Sequence, residues 1–122
     1  MGGLSASIGK RQGEIGAVVD GAVRDVPRSR GLGYPIWSRS ISPITGKWRI
    51  ETVAVNGPVT IAGISVAPGD LVVADEVGVC FIPFARAAEV LAVIDRQASN
   101  EARRQALIDQ GIPLAEVERA RR

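Results

Sequence analysis

The residues best suited to chemistry are Arg24 and Asp25, an adjacent cation and anion that follow an apolar run. We expect residues 15–19 to form a buried strand, residues 20–21 to turn the chain, and Pro27 to lie in the first turn of a short helix. Ligands bind beyond the carboxyl ends of strands in open α/β sheets, so a site is expected here. Arg24 could hold an anion and Asp25 a cation. On spacing alone, a surface salt bridge or a helix N-cap by Asp25 is the simpler explanation.

The composition limits the chemistry that such a site could perform. The 122 residues include no histidine, and the only lysines are Lys10 and Lys47. Ser-His-Asp and Cys-His catalysis and imidazole-based zinc sites are therefore excluded, and few residues could form a Schiff base. Any reaction must depend on carboxylates, arginines and backbone amides, with or without a hard metal.

Charge and aromatic content argue against a nucleic-acid partner. The net charge is only +2, and five aromatic residues are too few for base-stacking platforms. The basic residues near the end of the chain alternate with acidic ones, which is typical of a solvated helix end. They are Arg119, Arg121 and Arg122, with Glu116 and Glu118.

The sequence predicts a cytoplasmic protein that does not enter a membrane. Cys80 is the only cysteine, so no intramolecular disulfide can form, and its apolar neighbours predict a buried core position. No apolar run approaches the roughly 20 residues of a membrane span. Residues 1–5 lack the charged head and apolar stretch of a secretory signal.

The predicted elements form one α/β domain over residues 1–122, with a compact β-rich core and flanking helices. A weak helix is expected at 3–12, ending at Gly13, and a strand at 34–38, followed by a loop at 40–48. Short β segments follow at 49–55, 59–62, 64–66, 70–74 and 78–82. Residues 83–122 are expected to be a helical C-terminal segment, with one long helix from Pro83 to Ile108 and a short one at 114–121.

Four ordered motifs carry a family resemblance. They are V-V-D-G-A-V-R-D at 18–25, G-Y-P-I-W-S-R at 33–39, V-A-P-G-D at 66–70, and A-D-E-V-G-V at 74–79 followed by Ile82-Pro83. Together they resemble the 4-hydroxy-4-methyl-2-oxoglutarate aldolases and the related regulator of ribonuclease activity A. The resemblance covers most of the chain before the long helix, and it implies the swivelling β/β/α domain of that family.

The resemblance also implies roles for the Arg-Asp pair. In that family the arginine holds the pyruvoyl part of the substrate, which here is Arg24. The aspartate lies at a divalent metal, usually magnesium and possibly manganese, which here is Asp25. Hard Mg²⁺ needs only one or two protein carboxylates, which suits a chain without histidine.

A glycine-led helix start is the second implied part of the site. The family binds substrate there, and the matching positions are Gly2, Gly3, Leu4 and Ser5. Free amides at a helix N-terminus are a natural carboxylate site, which agrees with that role. A loose N-terminal tail is the alternative.

Glu101 is the third candidate, as an acidic group near the metal donated by a neighbouring subunit. It shares a helical stripe with Ile94, Ala98, Gln105 and Ile108, so it is expected to face packing or an interface. The alternative is that nearby arginines, Arg103 and Arg104, neutralise it. The family resemblance supports the shared role and implies a homo-oligomer, most simply a trimer.

The function that follows is a metal-dependent lyase acting on short 2-oxo diacids. It would cleave 4-hydroxy-4-methyl-2-oxoglutarate or decarboxylate oxaloacetate, and both reactions release pyruvate through its enolate. The chain departs from the aldolases in three ways: Gly3 replaces an acidic residue, Val77 replaces an aspartate, and the family's usual N-terminal region is missing. Two alternatives therefore stay open: a non-catalytic protein-binding regulator, and an inactive fragment.

Overall fold

The chain of the computed structural model divides into two compact units, Met1–Phe81 and Ile82–Arg122. The structure describes residues 1–120. Within each unit, helices flank small sheets or pack on each other, and the predicted mixed α/β class is confirmed. The candidate residues Arg24 and Asp25 lie in the first unit.

The first unit begins with two helices that alternate with two strands. They are α1 (Gly3–Arg11), β1 (Ala17–Val23), α2 (Val26–Gly31) and β2 (Ile36–Ile41). β1 and β2 pair in parallel, with α2 as the connection between them. Pro27 lies in the first turn of α2, where its missing N–H leaves no hydrogen bond unmade. The parallel pairing puts the carboxyl end of β1 at the start of α2, immediately beside Arg24 and Asp25.

The expected turn at residues 20–21 is wrong, because Asp20 and Gly21 lie inside β1. The pairing register shifts between Val19 and Ala22, so two residues of β1 stand opposite Arg39 alone. This is a β-bulge. The Arg39 guanidinium is hydrogen-bonded to the Asp20 carboxylate, which lowers the pKa of Asp20. The D-G sequence alone predicts a turn as readily as a bulge, because glycine and aspartate favour both.

Tyr34 joins the end of α1 to the start of the sheet. The residue is 2% exposed, and its hydroxyl donates to Glu14 Oε2 at 2.6 Å and lies 3.1 Å from the Gly16 carbonyl oxygen. Burial, followed by the hydrogen bond to the Glu14 carboxylate, raises the pKa of Tyr34 to about 12. The anchored ring fixes α1 relative to β1 and thereby positions the N-terminal end of α1.

Two short β-ribbons complete the first unit. β3 (Val59–Ile61) and β4 (Ile64–Val66) form an antiparallel hairpin, whose turn residues Ala62 and Gly63 both have positive φ, as a tight hairpin turn requires. β5 (Leu71–Ala74) pairs with β6 (Val79–Ile82). In the turn between them, the Asp75 carboxylate accepts the amides of Val77 and Gly78.

Two further expectations for this region are wrong. Residues 49–55 form no strand, because no neighbouring strand pairs with them in the described chain and Trp48 and Asn56 at either side adopt positive φ. Cys80 is exposed rather than buried. The β5–β6 ribbon has only two strands, so an apolar residue on it is not covered by a second layer.

The second unit is helical, as predicted. After a 3-10 turn at Phe84–Arg86 come α3 (Ala87–Asp109) and α4 (Leu114–Arg119). Gly111, with φ of 70°, ends α3, and Val117 of α4 is 1% exposed. Arg119 ends α4, whereas Arg121 and Arg122 lie outside the described residues. None of the helices described for residues 1–120 combines the length and apolar character of a membrane span.

Candidate functional site

The start of the chain runs beside the end of β1. The Met1 nitrogen donates to the Ala22 carbonyl at 2.9 Å, and the Arg24 amide donates to the Met1 carbonyl at 2.9 Å. These two bonds flank Val23 in the pattern of a parallel β ladder. They bring the predicted glycine-led segment and the predicted Arg-Asp pair into one place, although about twenty residues separate them in the sequence.

Asp25 occupies the centre of this site. Its φ of 59° and ψ of 34° are left-handed, a conformation that aspartate and asparagine tolerate better than other side chains. It precedes α2 but makes no side-chain cap there. Its Oδ2 atom instead accepts the Gly3 amide of α1 at 2.9 Å and lies 3.6 Å from Arg24 Nε. The salt bridge proposed as the simpler explanation is therefore present, and the cap is made to a different helix.

Side chains from the 24–28 segment lie against Gly2 and Gly3. A Cβ on Gly2 would fall 2.8 Å from Arg24 Nε, and one on Gly3 would fall 2.6 Å from Arg28 Cδ. Both distances are shorter than real Cβ contacts. The two glycines thus allow two arginines to approach the N-terminal backbone of α1.

Arg28 is a residue of this site that the sequence analysis did not single out. It lies on α2, one turn after Asp25, and its amide donates to the Asp25 carbonyl at 2.9 Å. The signal was available, because Pro27 predicted a helix here and residues three apart on a helix share a face. The family motif includes Arg24 and Asp25 but not Arg28.

Of the first backbone amides of α1, one is hydrogen-bonded within the protein and two are left for a ligand. The first amides of a helix have no intrahelical partner. Asp25 takes the Gly3 amide, whereas the Leu4 and Ser5 amides have no hydrogen-bond partner among the described residues. Leu4 and Ser5 are exposed. The absence of a competing bond to either amide within residues 1–120 agrees with the helix-start hypothesis.

The charges around the site favour an anion. Arg24 and Arg28 lie at the N-terminal end of α1, which carries the positive end of the helix dipole. The first turn of α1 contains no acidic residue. The single carboxylate of Asp25 leaves an excess of positive charge.

The protein ligands for a divalent metal are few but chemically suitable. No cluster of three or more acidic, histidine or cysteine side chains occurs within residues 1–120. The Asp25 carboxylate is half exposed, and no residue of that range donates a hydrogen bond to its Oδ1 atom. A magnesium ion that keeps several waters needs no more than this from the protein. Asp25 therefore fits a metal that is also held by substrate oxygens and water.

Glu101 lies on α3 in the second unit and is exposed. It lines a 220 Å³ depression with Gln97, Asn100 and Arg104. Neither predicted arginine neutralises it: Arg104 pairs with Glu118 at 3.1 Å, and Arg103 donates to the Ala120 carbonyl. Its role beside a metal of a neighbouring subunit stays a prediction.

A cavity of about 740 Å³ lies elsewhere in the first unit. Its walls include Val23, Tyr34 and Trp37, and neither Arg24 nor Asp25 lines it. Ser29, which is 4% exposed, also lines it, and its Oγ has no hydrogen-bond partner among the described residues. Its walls are mostly apolar, with Arg30, Asp75 and Glu76 as the charged residues among them, and none of the predicted site residues lines it.

Known proteins with similar sequences support the family resemblance. The family model described as RraA-like, Aldolase/RraA, matches residues 1–81. The chain is 38% identical over 101 residues to a protein of Halalkalibacterium halodurans named "Putative 4-hydroxy-4-methyl-2-oxoglutarate aldolase". That match covers 82% of this chain and 48% of the relative. The chain thus spans about half the length of the curated relative it matches.

Two solved structures give the same answer for the fold. An uncharacterized protein from Pseudomonas syringae aligns with a TM-score of 0.88 and 32% identity, covering 98% of this chain and 55% of that one. Streptomyces coelicolor RraAS2, described as an unusual member of the RNase ES inhibitor RraA protein family, aligns with a TM-score of 0.74 and 38% identity, covering 86% and 54%. With the family model covering residues 1–81, these matches show that the chain belongs to the RraA-like family, Aldolase/RraA.

Proposed function

We propose that this chain carries the substrate-binding half of a metal-dependent carbon–carbon lyase acting on short 2-oxo diacids. The observation that carries the proposal is the convergence of Asp25, Arg24 and the N-terminal end of α1. The Asp25 carboxylate accepts the Gly3 amide at 2.9 Å, and the Arg24 guanidinium lies against Gly2. The name of the Halalkalibacterium relative supports the same class of reaction.

Each part of the site has a role in releasing pyruvate. Arg24 binds the carboxylate of the pyruvoyl group, because a guanidinium can hold a carboxylate through two parallel hydrogen bonds. The Leu4 and Ser5 amides donate to the same group. When bound at Asp25, a divalent metal would supply Lewis acidity for the negative charge that develops on the 2-oxo oxygen. Arg24 and the α1 amides orient the substrate so that its C3–C4 bond, the one whose cleavage leaves the enolate of pyruvate, is the bond that breaks.

A pyruvate-release assay tests the proposal. Wild-type protein is expected to release pyruvate from oxaloacetate and from 4-hydroxy-4-methyl-2-oxoglutarate, with magnesium or manganese but not after chelation. Absence of pyruvate from both substrates with either metal would reject the lyase. Inhibition of a ribonuclease by the same protein would then favour the regulator, consistent with the family of Streptomyces RraAS2.

Asp25→Asn tests the metal role. Asparagine tolerates the left-handed backbone and keeps an oxygen for the Gly3 amide, so only the charge is lost. We expect metal-dependent activity to disappear while the circular dichroism spectrum is unchanged. Asp20→Asn is the matched control, because it makes the same chemical change at the bulge of β1 and is expected to keep activity. Normal magnesium activation of Asp25→Asn would contradict the role.

Arg24→Lys tests the carboxylate role. Lysine keeps the positive charge but cannot form the bidentate contact. We expect a higher KM for oxaloacetate and a lower kcat. An unchanged kcat/KM in steady-state kinetics would refute this role for Arg24.

The active form is proposed to be a homo-oligomer, most simply a trimer, in which Glu101 of one subunit approaches the Asp25 site of its neighbour. The support is that Glu101 is exposed, and so are Leu91, Ile94 and Ile108 of α3. Mixing inactive Asp25→Asn protein with Glu101→Gln protein after subunit exchange is expected to restore part of the activity. No recovery despite measured exchange, or full activity of Glu101→Gln alone, would exclude the shared site.

A further inference from the structure

We infer that Arg28 is a second substrate-binding arginine, which selects 2-oxo acids that carry a distal carboxylate. The inference rests on the proposed lyase site, because it concerns the far end of the substrate that Arg24 and Asp25 are proposed to bind. It assigns a specificity role to a residue outside the Arg-Asp motif.

The position of Arg28 comes from the backbone. The left-handed Asp25 turns the chain into α2, and Arg28 follows on the first turn of that helix. Its Cδ atom comes within 2.6 Å of the point where Gly3 would carry a Cβ. Arg24 Nε comes within 2.8 Å of the corresponding point on Gly2. Since successive Cα atoms are about 3.8 Å apart, the two arginines flank adjacent residues at the N-terminal end of α1.

The guanidinium of Arg28 is available for a ligand. Arg28 is exposed, and it makes no ion pair or side-chain hydrogen bond among the described residues. Arg24, in contrast, already lies 3.6 Å from the Asp25 carboxylate. A guanidinium without a partner beside the positive end of a helix is a favourable place for an anion.

The charge balance favours a diacid over a monoacid. Two guanidinium groups and the N-terminal end of α1 oppose one carboxylate, and a divalent metal at Asp25 would add two more positive charges. A 2-oxo monoacid brings a single negative charge, which Arg24 can bind alone. A 2-oxo diacid brings a second one, and Arg28, the other arginine beside the N-terminal end of α1, can receive it.

Arg30 provides the internal comparison. It lies two residues further along α2 and carries the same charge, but it lines the 740 Å³ cavity instead of the surface beside Gly3. A general effect of positive charge on α2 would therefore involve both arginines. A specific contact with substrate involves Arg28 alone.

Binding of two non-cleavable ligands tests the inference without any turnover. We choose 2-oxoglutarate and 2-oxopentanoate, which have the same five-carbon chain and 2-oxo group and differ by the distal carboxylate. Calorimetry in the presence of Mg²⁺ is expected to show that wild-type protein binds 2-oxoglutarate roughly 10- to 100-fold more tightly, as hydrogen bonds to a charged group predict. Arg28→Gln keeps a side chain that reaches as far as Cδ, the position that covers Gly3, and removes the charge.

The variants are expected to separate a ligand contact from a structural role. Arg28→Gln should weaken 2-oxoglutarate binding and leave 2-oxopentanoate binding within about twofold, so that the preference disappears. Arg30→Gln should keep the wild-type preference. A preference that survives in Arg28→Gln, or an equal loss for both ligands, overturns the inference. Wild-type protein without any preference overturns it as well.

Kinetics distinguish this inference from the proposed function. With pyruvate release as the readout, Arg28→Gln is expected to lower kcat/KM for 4-hydroxy-4-methyl-2-oxoglutarate, whose distal carboxylate stays charged throughout the cleavage, by the same factor and to spare 4-hydroxy-2-oxopentanoate. Pyruvate release that is insensitive to Arg28→Gln refutes the role of Arg28 and keeps the lyase. Arg28-dependent binding of 2-oxoglutarate by a protein that releases no pyruvate refutes the lyase and keeps the role of Arg28.

Discussion

At the scale of single residues, the site depends on the missing side chains of Gly2 and Gly3 as well as on Arg24 and Asp25. A methyl group at Gly2 would meet the Arg24 guanidinium at 2.8 Å. That guanidinium would have to move away from the N-terminal end of α1. The glycines thus leave room for the arginines, whereas the backbone angles at Gly2 are ones that any residue can adopt.

Gly2→Ala is therefore expected to reduce lyase activity without unfolding the protein. A displacement of about 1 Å in a substrate-binding group lowers turnover on the order of 100-fold. The measurement is kcat/KM for oxaloacetate. Gly21→Ala is the control, because an added Cβ there meets nothing within 4 Å. Equal activity of the two variants would show that Arg24 does not act from its present position.

Tyr34 gives a residue-scale prediction about pH. It is the only tyrosine in the chain, so tyrosinate absorbance reports on this residue alone. Its pKa is raised to about 12 in the folded protein, from about 10 in the unfolded chain. Because the folded state binds the Tyr34 proton more tightly than the unfolded chain does, this proton contributes its full share of the folding stability below pH 10. That contribution is lost as the pH rises towards 12. An absorbance titration that gives a midpoint near 10 in folded protein would contradict the buried hydrogen bond to Glu14.

At the scale of elements, Asp25 ties two helices together. It precedes α2, and its side chain caps α1 through the Gly3 amide. The capped helix has Gly2 at its N-cap position, which offers no side-chain acceptor of its own. The residue proposed to bind metal thus also completes the hydrogen bonding of α1.

This double role predicts different effects for two substitutions. Asp25→Ala removes both the charge and the acceptor, and it is expected to destabilise the fold by about 0.5–2 kcal/mol, the usual cost of a lost N-cap. Asp25→Asn keeps the acceptor and is expected to cost less. Hydrogen–deuterium exchange of α1 amides should accelerate in the alanine variant only. Similar exchange in both variants would show that the 2.9 Å contact does not stabilise α1.

The elements also show how far the sequence could predict the fold. α1, α2 and α3 were anticipated because Pro27, the terminating glycines and the apolar spacing are local signals. The strand predicted at residues 49–55 does not form, because an alternating apolar pattern becomes a strand only when another strand pairs with it. The turn predicted at Asp20-Gly21 is wrong for a similar reason, since the bulge found there depends on pairing with Arg39, which is a tertiary property.

The candidate site was predictable to a different extent. The family motif located Arg24 and Asp25, and it located the helix start at Gly2–Ser5. It did not predict that the Asp25 carboxylate would accept a hydrogen bond from the Gly3 amide, because that contact joins residues 22 positions apart. Arg28 was missed because its place against Gly3 depends on the left-handed turn at Asp25.

At the scale of the whole molecule, the chain exposes more surface than compact units of its length would. Its accessible area is 9651 Å². Two separate compact globules of the lengths of its two units would expose about 7,500 Å². Apolar side chains contribute to the excess, including Ile15, Ile41 and Trp48. Exposed apolar surface on this scale is typical of a surface that another polypeptide covers.

The excess surface predicts that stability depends on protein concentration. If association covers the exposed apolar side chains, mass action makes the thermal midpoint rise with concentration. The measurement is thermal unfolding over a hundredfold concentration range, combined with light scattering to give the mass of the assembly. An active monomer with a constant midpoint would contradict both the association and the trimer.

The contact of Met1 with the end of β1 has a practical consequence for expression of the protein. Any residues fused before Met1 would emerge beside Ala22 and Arg24, since the Met1 nitrogen is bonded to the Ala22 carbonyl. A polyhistidine tag placed there would bring imidazoles next to Asp25 in a chain that has no histidine of its own. Such a tag would create a metal-binding group foreign to the protein and could mimic or mask its metal dependence. Measurements of metal activation therefore require either a removable N-terminal tag or a tag placed at the other end of the chain.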